Sequence, residues 1–257
     1  MVLGIIGGTL GYRILRYLSP GTTGNNDYTA YIERSKLEVF FGPRVWDELQ
    51  GKVVIDYGCE SGIEVIEVAR RGARRVIGID IRESALVGAR CAAEQAGVSD
   101  RCIFTTRTDE KADVIMTFDA FEHFADPAAE LRKMRRLLKK GGYIIASFGP
   151  TWYHPLGGHG FSIFPWAHLV FSEKAILRWY GEFSKDGATQ FSEISGGLSQ
   201  MTIRHFEKTV AQSEFRFASF EAVPIRKLRP FANRLTREFT TAIVKCRLVP
   251  RSERITD

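Results

Sequence analysis

The strongest constraint on the fold of this chain is a regular alternation of apolar runs and helix-patterned stretches between residues 52 and 148. The apolar runs read KVVIDYG, RRVIGID, RCIFTT, ADVIMTFD and YIIASFG, and helical patterns separate most of them. Strands joined by helices run parallel, with right-handed crossovers. The sequence therefore predicts an α/β fold with a Rossmann-like, doubly wound and mostly parallel sheet.

The helices between these runs carry end signals. In DPAAELRKMRRLLKKGG, Asp126 is a typical N-cap and Pro127 suits the first helical position. The apolar face of this helix, and the glycine pair expected to end it, are Leu131, Met134, Leu138, Gly141 and Gly142. An earlier helix, in GIEVIEVARRGA, should bury Ile63, Ile66 and Ala69.

The chain is long enough for one sizeable core, since it has 257 residues of which 44% are hydrophobic. We predict an N-terminal arm over residues 1–34 and a single domain over 35–257. Within that domain, residues 150–200 break the alternation and form a lid or acceptor insertion. A helix near residues 202–212 then leads to two last strands, FASFEAVPI and FTTAIVKCRL.

The positive charge is concentrated at the C-terminal end. The net charge is +6, and residues 226–257 alone hold nine Lys or Arg against three Asp or Glu, a surplus equal to the whole. Nucleic-acid binding is not expected, because these residues are not interleaved with stacking aromatic side chains along a groove. A solvated basic edge is the interpretation expected instead. Four cysteines without a CxxC pair are typical of reduced thiols and predict a cytoplasmic location.

The N-terminal stretch MVLGIIGGTLGYRILRYLSP is apolar but too short to span a membrane, and Arg13 and Arg16 interrupt it. Because its glycines weaken a free helix, we expect a loosely packed arm. Weak contact with a membrane surface is the alternative.

Acidic and glycine residues follow the first two strands. Asp56, Gly58 and Gly62 lie in the turn after the first strand, where small residues let backbone N–H groups approach a polar ligand. Asp80 ends the second strand, where a carboxylate can accept hydrogen bonds from both hydroxyls of a ribose. Together these residues predict a nucleoside-binding site.

The stretches VVIDYGCESG, VIGIDIRESAL, ADVIMTFDAFEHFADP and LRKMRRLLKKGGYIIASF resemble the successive motifs of class I S-adenosylmethionine-dependent methyltransferases. The resemblance covers about residues 50–148 and implies a seven-stranded sheet with an antiparallel last strand. It also implies S-adenosylmethionine as the cofactor. The cofactor-binding residues implied in this way are Asp56, Gly58, Cys59, Gly62, Asp80, Ile81, Asp109, Phe118 and Asp119.

Within this set, the resemblance assigns the methionine portion to Asp56, Gly58 and Gly62, and the ribose to Asp80. The backbone near Phe118 and Asp119 would face the sulfonium side.

This sequence departs from the family pattern at two places. Glu60 replaces the middle glycine of the turn, and a short RTDEK link precedes the fourth strand. We expect Glu60 to adopt an ordinary negative φ with its carboxylate toward solvent and the nearby helix end, although it could instead crowd the cofactor. Asp109, in the short link, is assigned to the adenine.

Methyl transfer to oxygen or nitrogen often requires a base near the acceptor. His123, in DAFEHF, is the leading candidate, with Tyr153 and His154 from the insertion. A structural role for His123 is the alternative. No metal site is expected from His154, His159 and His168, because their spacing matches no defined ligand set.

Aromatic residues crowd the insertion. Either they form an acceptor pocket or lid whose glycines allow closure, or they pack a satellite core. The residues concerned are Trp152, Tyr153, Phe161, Phe164 and Trp166. The insertion also resembles that of bacterial methyltransferases of this size.

The leading hypothesis is a methyltransferase acting on a small-molecule or glycan-like acceptor, at oxygen. One alternative is a partner subunit that binds the cofactor without turnover, suggested by Glu60. The other is an NAD-dependent oxidoreductase, which would share the fold.

Overall fold

A seven-stranded sheet organises the structure, a computed structural model that describes residues 4–19, 34–184, 187–194 and 197–251. Its order is β3-β2-β1-β4-β5-β7-β6; β1 to β5 are parallel, and β7 is antiparallel to both β5 and β6. The predicted fold class, including the antiparallel last strand, is confirmed. The strands are β1 Val53–Tyr57, β2 Arg75–Ile79, β3 Cys102–Thr105, β4 Ala112–Phe118, β5 Leu138–Phe148, β6 Phe215–Pro224 and β7 Thr241–Pro250.

Helices cover both faces of this sheet and build the insertion. They are α1 Gly8–Leu18, α2 Lys36–Phe41, α3 Val45–Leu49, α4 Ile63–Arg70, α5 Glu83–Gln95, α6 Pro127–Leu137, α7 Ala167–Val170, α8 Glu173–Tyr180, α9 Ile203–Ala211 and α10 Arg237–Thr240. One core packs α6 and α9 on the sheet, and a second packs α3, α4 and α5 on the opposite face. The strands between them are buried on both sides, as expected for parallel sheets.

The end of α6 was predicted too late. Its start is as expected, since the Asp126 side chain accepts a hydrogen bond from Ala129 N–H. The helix ends at Leu137, however, and Leu138 is buried as the first residue of β5, paired with Ala112 of β4. Pairing with the neighbouring strand therefore ends the helix before its glycines do.

The buried face of α4 also differs from the prediction. Ala69 is buried as predicted, together with Val65 and Val68, and Ile66 packs partly buried against the same core, whereas Ile63 is 66% exposed. Apolar residues occur on both sides of this helix, so its periodicity alone did not identify the face that meets the sheet.

The N-terminal segment over residues 4–19 is not a loosely packed arm. Ile6 N–H donates to Val170 O and Ser172 N–H donates to Ile6 O, both at 2.9 Å. Leu15 is fully buried in a third core with α8 and the insertion. Residues 1–3 and 20–33 of the predicted arm lie outside the described residues.

The outer side of α1 remains exposed, including Leu10 and Tyr17 beside Arg13 and Arg16. Contact of this helix with a membrane surface therefore stays a prediction. None of the described helices has the length and apolarity needed to cross a membrane.

Candidate active site

The turn after β1 is fixed to the end of β2 by backbone hydrogen bonds. Gly58 and Cys59 N–H groups both donate to Ile79 O, at 2.8 and 2.9 Å. Gly62 has a φ of +75°, and a Cβ at this position would lie 2.6 Å from Cε1 of Phe104. Glycine is therefore required at residue 62 both by its backbone conformation and by its packing.

The Asp80 carboxylate lies against this turn and is 8% exposed. Its Oδ2 accepts the Glu60 N–H at 3.0 Å, and its Oδ1 accepts the Arg82 N–H at 2.9 Å. The neighbouring Ile81 is 92% exposed, which leaves an apolar surface beside the carboxylate. A sugar hydroxyl and a flat apolar base would both find a matching partner here.

Glu60 adopts a left-handed conformation, with φ +44°. The expectation of a negative φ is therefore wrong, and this position has the backbone geometry that usually favours glycine. The solvent-facing direction of the side chain is confirmed: it is 72% exposed, and Oε1 lies 3.4 Å from Nη2 of Arg82. The carboxylate points out of the turn.

Replacing Glu60 by glycine should stabilise the protein. We expect the free energy of unfolding in denaturant to rise by about 1 kcal/mol, because a left-handed φ costs a residue with a Cβ that much or more. Calorimetry should show cofactor affinity unchanged within about twofold, since an exposed ion pair contributes little. Glu60→Ala, which also loses the Arg82 contact but keeps the Cβ, is the control and should give no gain in stability. A tenfold tighter Glu60→Gly complex would show that the side chain obstructs the site.

Lys36 joins the site from α2 and was not among the residues predicted from the sequence. Its Nζ lies 2.8 Å from Oδ2 of Asp119 and 3.3 Å from Oε1 of Glu64. Burial lowers the pKa of Lys36, but these two carboxylates outweigh burial and raise the pKa above its usual value. A lysine in the first turn of a helix opposes the helix dipole, and that local conflict was the available signal.

Asp56 is 2% exposed at the end of β1. Burial raises the pKa of this carboxyl well above its ordinary range, Glu64 adds to the rise, and Lys36 opposes it. Asp56, Glu64 and Asp119 therefore form an acidic group around one cation. The φ of Asp119 is +49°, another left-handed residue at this edge of the sheet.

Three residues of the implied cofactor set differ from the others in their burial: two side chains lie in a core, and one is exposed in a link. The side chains of Cys59 and Phe118 are buried in the core that includes α4 and α5, so only their backbone groups could meet a ligand. Asp109 is exposed in the link before β4, and its carboxylate bonds to none of the described residues. Its assignment to the adenine stays a prediction.

Glu122 is a second residue that the sequence analysis missed. It is 2% exposed between the ends of β4 and β5, where Oε1 accepts the Gly149 N–H at 3.1 Å. Its Oε2 has no hydrogen-bond partner in the described part of the chain. Burial, reinforced by Asp119, raises the pKa of Glu122 to about 8. The carboxyl is therefore largely protonated near neutral pH.

This raised pKa makes stability depend on pH. Between about pH 4.5 and 8 the unfolded chain loses the Glu122 proton while the folded chain keeps it, so this contribution to stability decreases as pH rises. Glu122→Gln retains an acceptor for Gly149 N–H and cannot titrate. We expect thermal unfolding of the variant to show a shallower decline in melting temperature between pH 5 and 8. Parallel curves for the two proteins would contradict the buried, protonated carboxyl.

His123 follows β4 and has a defined hydrogen bond. Its Nδ1 lies 2.8 Å from Gly197 O. Because a carbonyl oxygen only accepts, the neutral ring carries its proton on Nδ1 and keeps the Nε2 lone pair free. The ring centre lies 5.6 Å from that of His159. This tautomer is the one that a base acting through Nε2 requires.

His154 has the opposite tautomer. Its Nδ1 accepts the Leu156 N–H at 2.9 Å, so the neutral ring carries its proton on Nε2. Burial lowers the pKa of His154 to about 4, and His168 adds to the lowering. This ring can donate from Nε2 but lacks a free lone pair for a substrate proton.

The Tyr153 ring lies 5.1 Å from that of Phe239, so it joins the insertion to the segment that precedes β7.

Of the other two histidines of the insertion, His168 serves its packing. His168 is fully buried, with Nε2 2.7 Å from Trp152 O, and a Cβ at Gly158 would lie 2.5 Å from the Cβ of His168. This glycine is therefore required by close packing. The His159 Nε2 is buried and has no hydrogen-bond partner among the described residues. No group of three or more His, Cys, Asp or Glu side chains in the described ranges could hold a metal ion.

The aromatic residues of the insertion are buried to different degrees. Trp152 and Phe161 are buried in the third core, which confirms the satellite-core alternative for them. Tyr153 and Phe164 are partly buried against that core. Trp166 is also only partly buried, and its Nε1 donates to Tyr153 O at 2.9 Å.

Comparison with known proteins gives a consistent assignment. A family model described as a methyltransferase domain matches residues 31–195, more than half of the chain. The chain is 39% identical over 101 residues to ribosomal protein L11 methyltransferase of Photobacterium profundum, covering 39% of this chain and 34% of that protein. It is 37% identical over 107 residues to ubiquinone biosynthesis O-methyltransferase of Neisseria meningitidis, covering 39% and 45%. The chain thus spans less than half the length of these relatives.

The fold has a solved counterpart. An S-adenosylmethionine-dependent methyltransferase from Mesorhizobium loti superposes with a TM-score of 0.53 at 18% identity. The superposition covers 79% of this chain and 93% of that one. It shows that the two chains share a fold.

Proposed function

The chain belongs to the class I S-adenosylmethionine-dependent methyltransferases, and from this premise we propose that it methylates an oxygen atom of a small-molecule or glycan-like acceptor. The observation that carries the proposal is the His123 tautomer, with Nδ1 engaged by Gly197 O and Nε2 free. A base at the carboxyl edge of the sheet is what transfer to a hydroxyl needs.

The residues at this edge fit the cofactor of the family. Asp80 offers a carboxylate to the ribose hydroxyls, and the exposed Ile81 offers an apolar contact to the adenine. Asp119 and Lys36 supply opposite charges that suit the ammonium and carboxylate of the methionine portion. When bound, S-adenosylmethionine supplies a methyl group on a positively charged sulfur.

The role proposed for His123 is to hold and remove a proton. An acceptor hydroxyl donates its hydrogen bond to Nε2, and the ring takes the proton as the oxygen gains its new bond. The Gly197 carbonyl keeps Nδ1–H oriented and stabilises the charged ring through its dipole. Tyr153 and His154 remain candidates for binding the acceptor, and the free Nε2–H of His154 suits a donor.

The two alternatives lose support. Binding without turnover was suggested by Glu60, but this side chain points into solvent and pairs with Arg82. The family assignment replaces the oxidoreductase hypothesis.

Calorimetry and an acceptor screen test this proposal. We expect S-adenosylmethionine and S-adenosylhomocysteine to bind and NAD not to bind. The screen measures S-adenosylhomocysteine release with phenols, sugar hydroxyls and amines. Because the relatives are named for ribosomal protein L11 and for ubiquinone biosynthesis, it also includes that protein and a quinone-type phenol. Release with hydroxyl acceptors supports the proposal, and release only with amines contradicts O-methylation. Absence of binding by both sulfur compounds would overturn the proposal, and binding without release would favour the silent subunit.

A further inference from the structure

The segment between β6 and β7 contains a strongly basic surface loop, residues 226–236, called the basic loop below. It carries four Lys or Arg and no Asp or Glu. All four cations are exposed, and none forms an ion pair with a described residue: Arg226, Lys227, Arg229 and Arg234. This loop contributes most of the positive surplus of the C-terminal region.

Large apolar side chains project from the same loop. Leu235 is 91% exposed and Phe231 is 66% exposed. Single exposed apolar residues are common on protein surfaces, but two within five residues, flanked by four cations, form a combined basic and apolar patch. A merely solvated basic edge does not require the apolar component.

The loop has a defined conformation that keeps these side chains outside. Residues Arg226–Phe231 form a short 3-10 helix. The Asn233 Oδ1 then accepts the Leu235 N–H at 2.8 Å and the Thr236 N–H at 3.2 Å. The Thr236 hydroxyl in turn donates to Phe231 O at 2.5 Å. The polar groups of this turn therefore form their hydrogen bonds within the loop, and Leu235 is exposed without being needed for packing.

The basic loop lies at the same edge of the sheet as the candidate active site. Pro224 of β6 pairs with Thr241 of β7, beyond the carboxyl end of β5, where Phe148 pairs with Val244. The Phe239 ring, just after the loop, contacts the Tyr153 ring of the insertion. A surface bound by this loop would face the candidate acceptor site.

We propose that the basic loop docks the protein on the surface of an anionic lipid bilayer. Such a surface attracts the four cations and also accepts Phe231 and Leu235 at the boundary between headgroups and acyl chains. A nucleic acid would pair with the cations but would leave the aliphatic Leu235 side chain in water. The proposal goes beyond methyl transfer and does not depend on it, because its readout is binding to vesicles.

Sedimentation with vesicles tests the docking. We expect the full chain to bind vesicles of phosphatidylcholine mixed with phosphatidylglycerol, and to bind phosphatidylcholine alone only weakly. Changing the four cations of the loop to glutamine should reduce the partition coefficient roughly a hundredfold or more, because each basic residue near an anionic surface contributes about fivefold. The double variant Phe231→Ser and Leu235→Ser keeps the charge and should lose about tenfold or more, because both apolar contacts are removed.

A matched control distinguishes the effect of this loop from the effect of the protein's net charge. It changes four other exposed cations, at the opposite edge of the sheet, to glutamine: Arg70, Arg74, Arg136 and Lys140. This control should bind vesicles within about fivefold of the wild type, since it removes the same charge without removing the patch. Thermal unfolding of each variant tests whether it remains folded.

Three results would overturn the proposal: no binding of the wild type to anionic vesicles, equal losses in the loop and control variants, or unchanged binding of the double apolar variant. A fluorescence polarisation arm uses single-stranded RNA. RNA binding that is lost with the loop cations, together with no vesicle binding, would assign the patch to nucleic acid instead.

Discussion

Asp80→Ala should lose roughly a hundredfold or more of its affinity for S-adenosylmethionine, because hydrogen bonds to a charged acceptor contribute about 1.5–3 kcal/mol each and two ribose hydroxyls would lose theirs. The same carboxylate also accepts the Glu60 and Arg82 N–H groups, so the substitution loosens the turn after β1. Calorimetric titration with S-adenosylmethionine and S-adenosylhomocysteine measures the effect. Asp80→Asn keeps the shape and one acceptor but loses the charge, and should give an intermediate loss.

Asp113→Ala is the matched control for this experiment. The Asp113 carboxylate also accepts a backbone N–H, that of Val53 at 2.9 Å, and pairs with Lys139 at 2.9 Å, but at the opposite edge of the sheet. Its loss should lower the melting temperature and leave cofactor affinity within about threefold, because it removes a hydrogen bond far from the ligand edge. Similar affinity losses in Asp80→Ala and Asp113→Ala would mean that Asp80 affects cofactor binding only through the stability of the fold.

The sheet was predictable because its signals are local. Each of β1 to β5 contains a short apolar run, and the α6 start has both an N-cap aspartate and a proline. The end of α6 and the packing of residues 4–19 were not predictable, since they depend on partners far along the chain. The pairing of Ile6 with Phe171 is an example, because no local pattern at either residue indicates the other.

The residues of the candidate site also differ in whether a local sequence signal could identify them. Asp80 could be identified because it ends a strand signal, and the structure has it hydrogen-bonded to the glycine turn. Glu122 lies in a stretch that was singled out for its histidine, and its carboxyl has a raised pKa because the fold buries it between two strand ends, with Asp119 adding to the rise. Lys36 lies before the first motif and meets Asp119 only through the fold.

Glu60 shows a different limit of sequence reasoning. The family pattern has a glycine at this position, and the observed φ is positive, but the expectation for Glu60 was a negative φ. The hydrogen bond from Glu60 N–H to Asp80 helps to hold this conformation. A residue with a Cβ therefore occupies a left-handed position in this turn, at a local cost of about 1 kcal/mol.

His123→Gln should reduce kcat for the acceptor by roughly a hundredfold to ten-thousandfold, the range expected when a base is removed, while cofactor affinity stays unchanged. Glutamine can still donate a hydrogen bond to Gly197 O, so the loop after β4 keeps its anchor. The Gln side chain offers no lone pair that can take a proton at neutral pH. Release of S-adenosylhomocysteine with the first acceptor identified by the screen gives kcat and KM for both proteins.

His154→Gln provides the comparison, because His154 lies in the insertion with its Nδ1 already occupied by Leu156 N–H and its pKa lowered to about 4 by burial. A ring that stays neutral and presents Nε2–H affects acceptor binding more than proton removal, so we expect a higher KM and a kcat within about threefold. If His123→Gln keeps its turnover, His123 is structural and holds Gly197 in place. If His154→Gln instead loses kcat, the two tautomers have been assigned to the wrong roles.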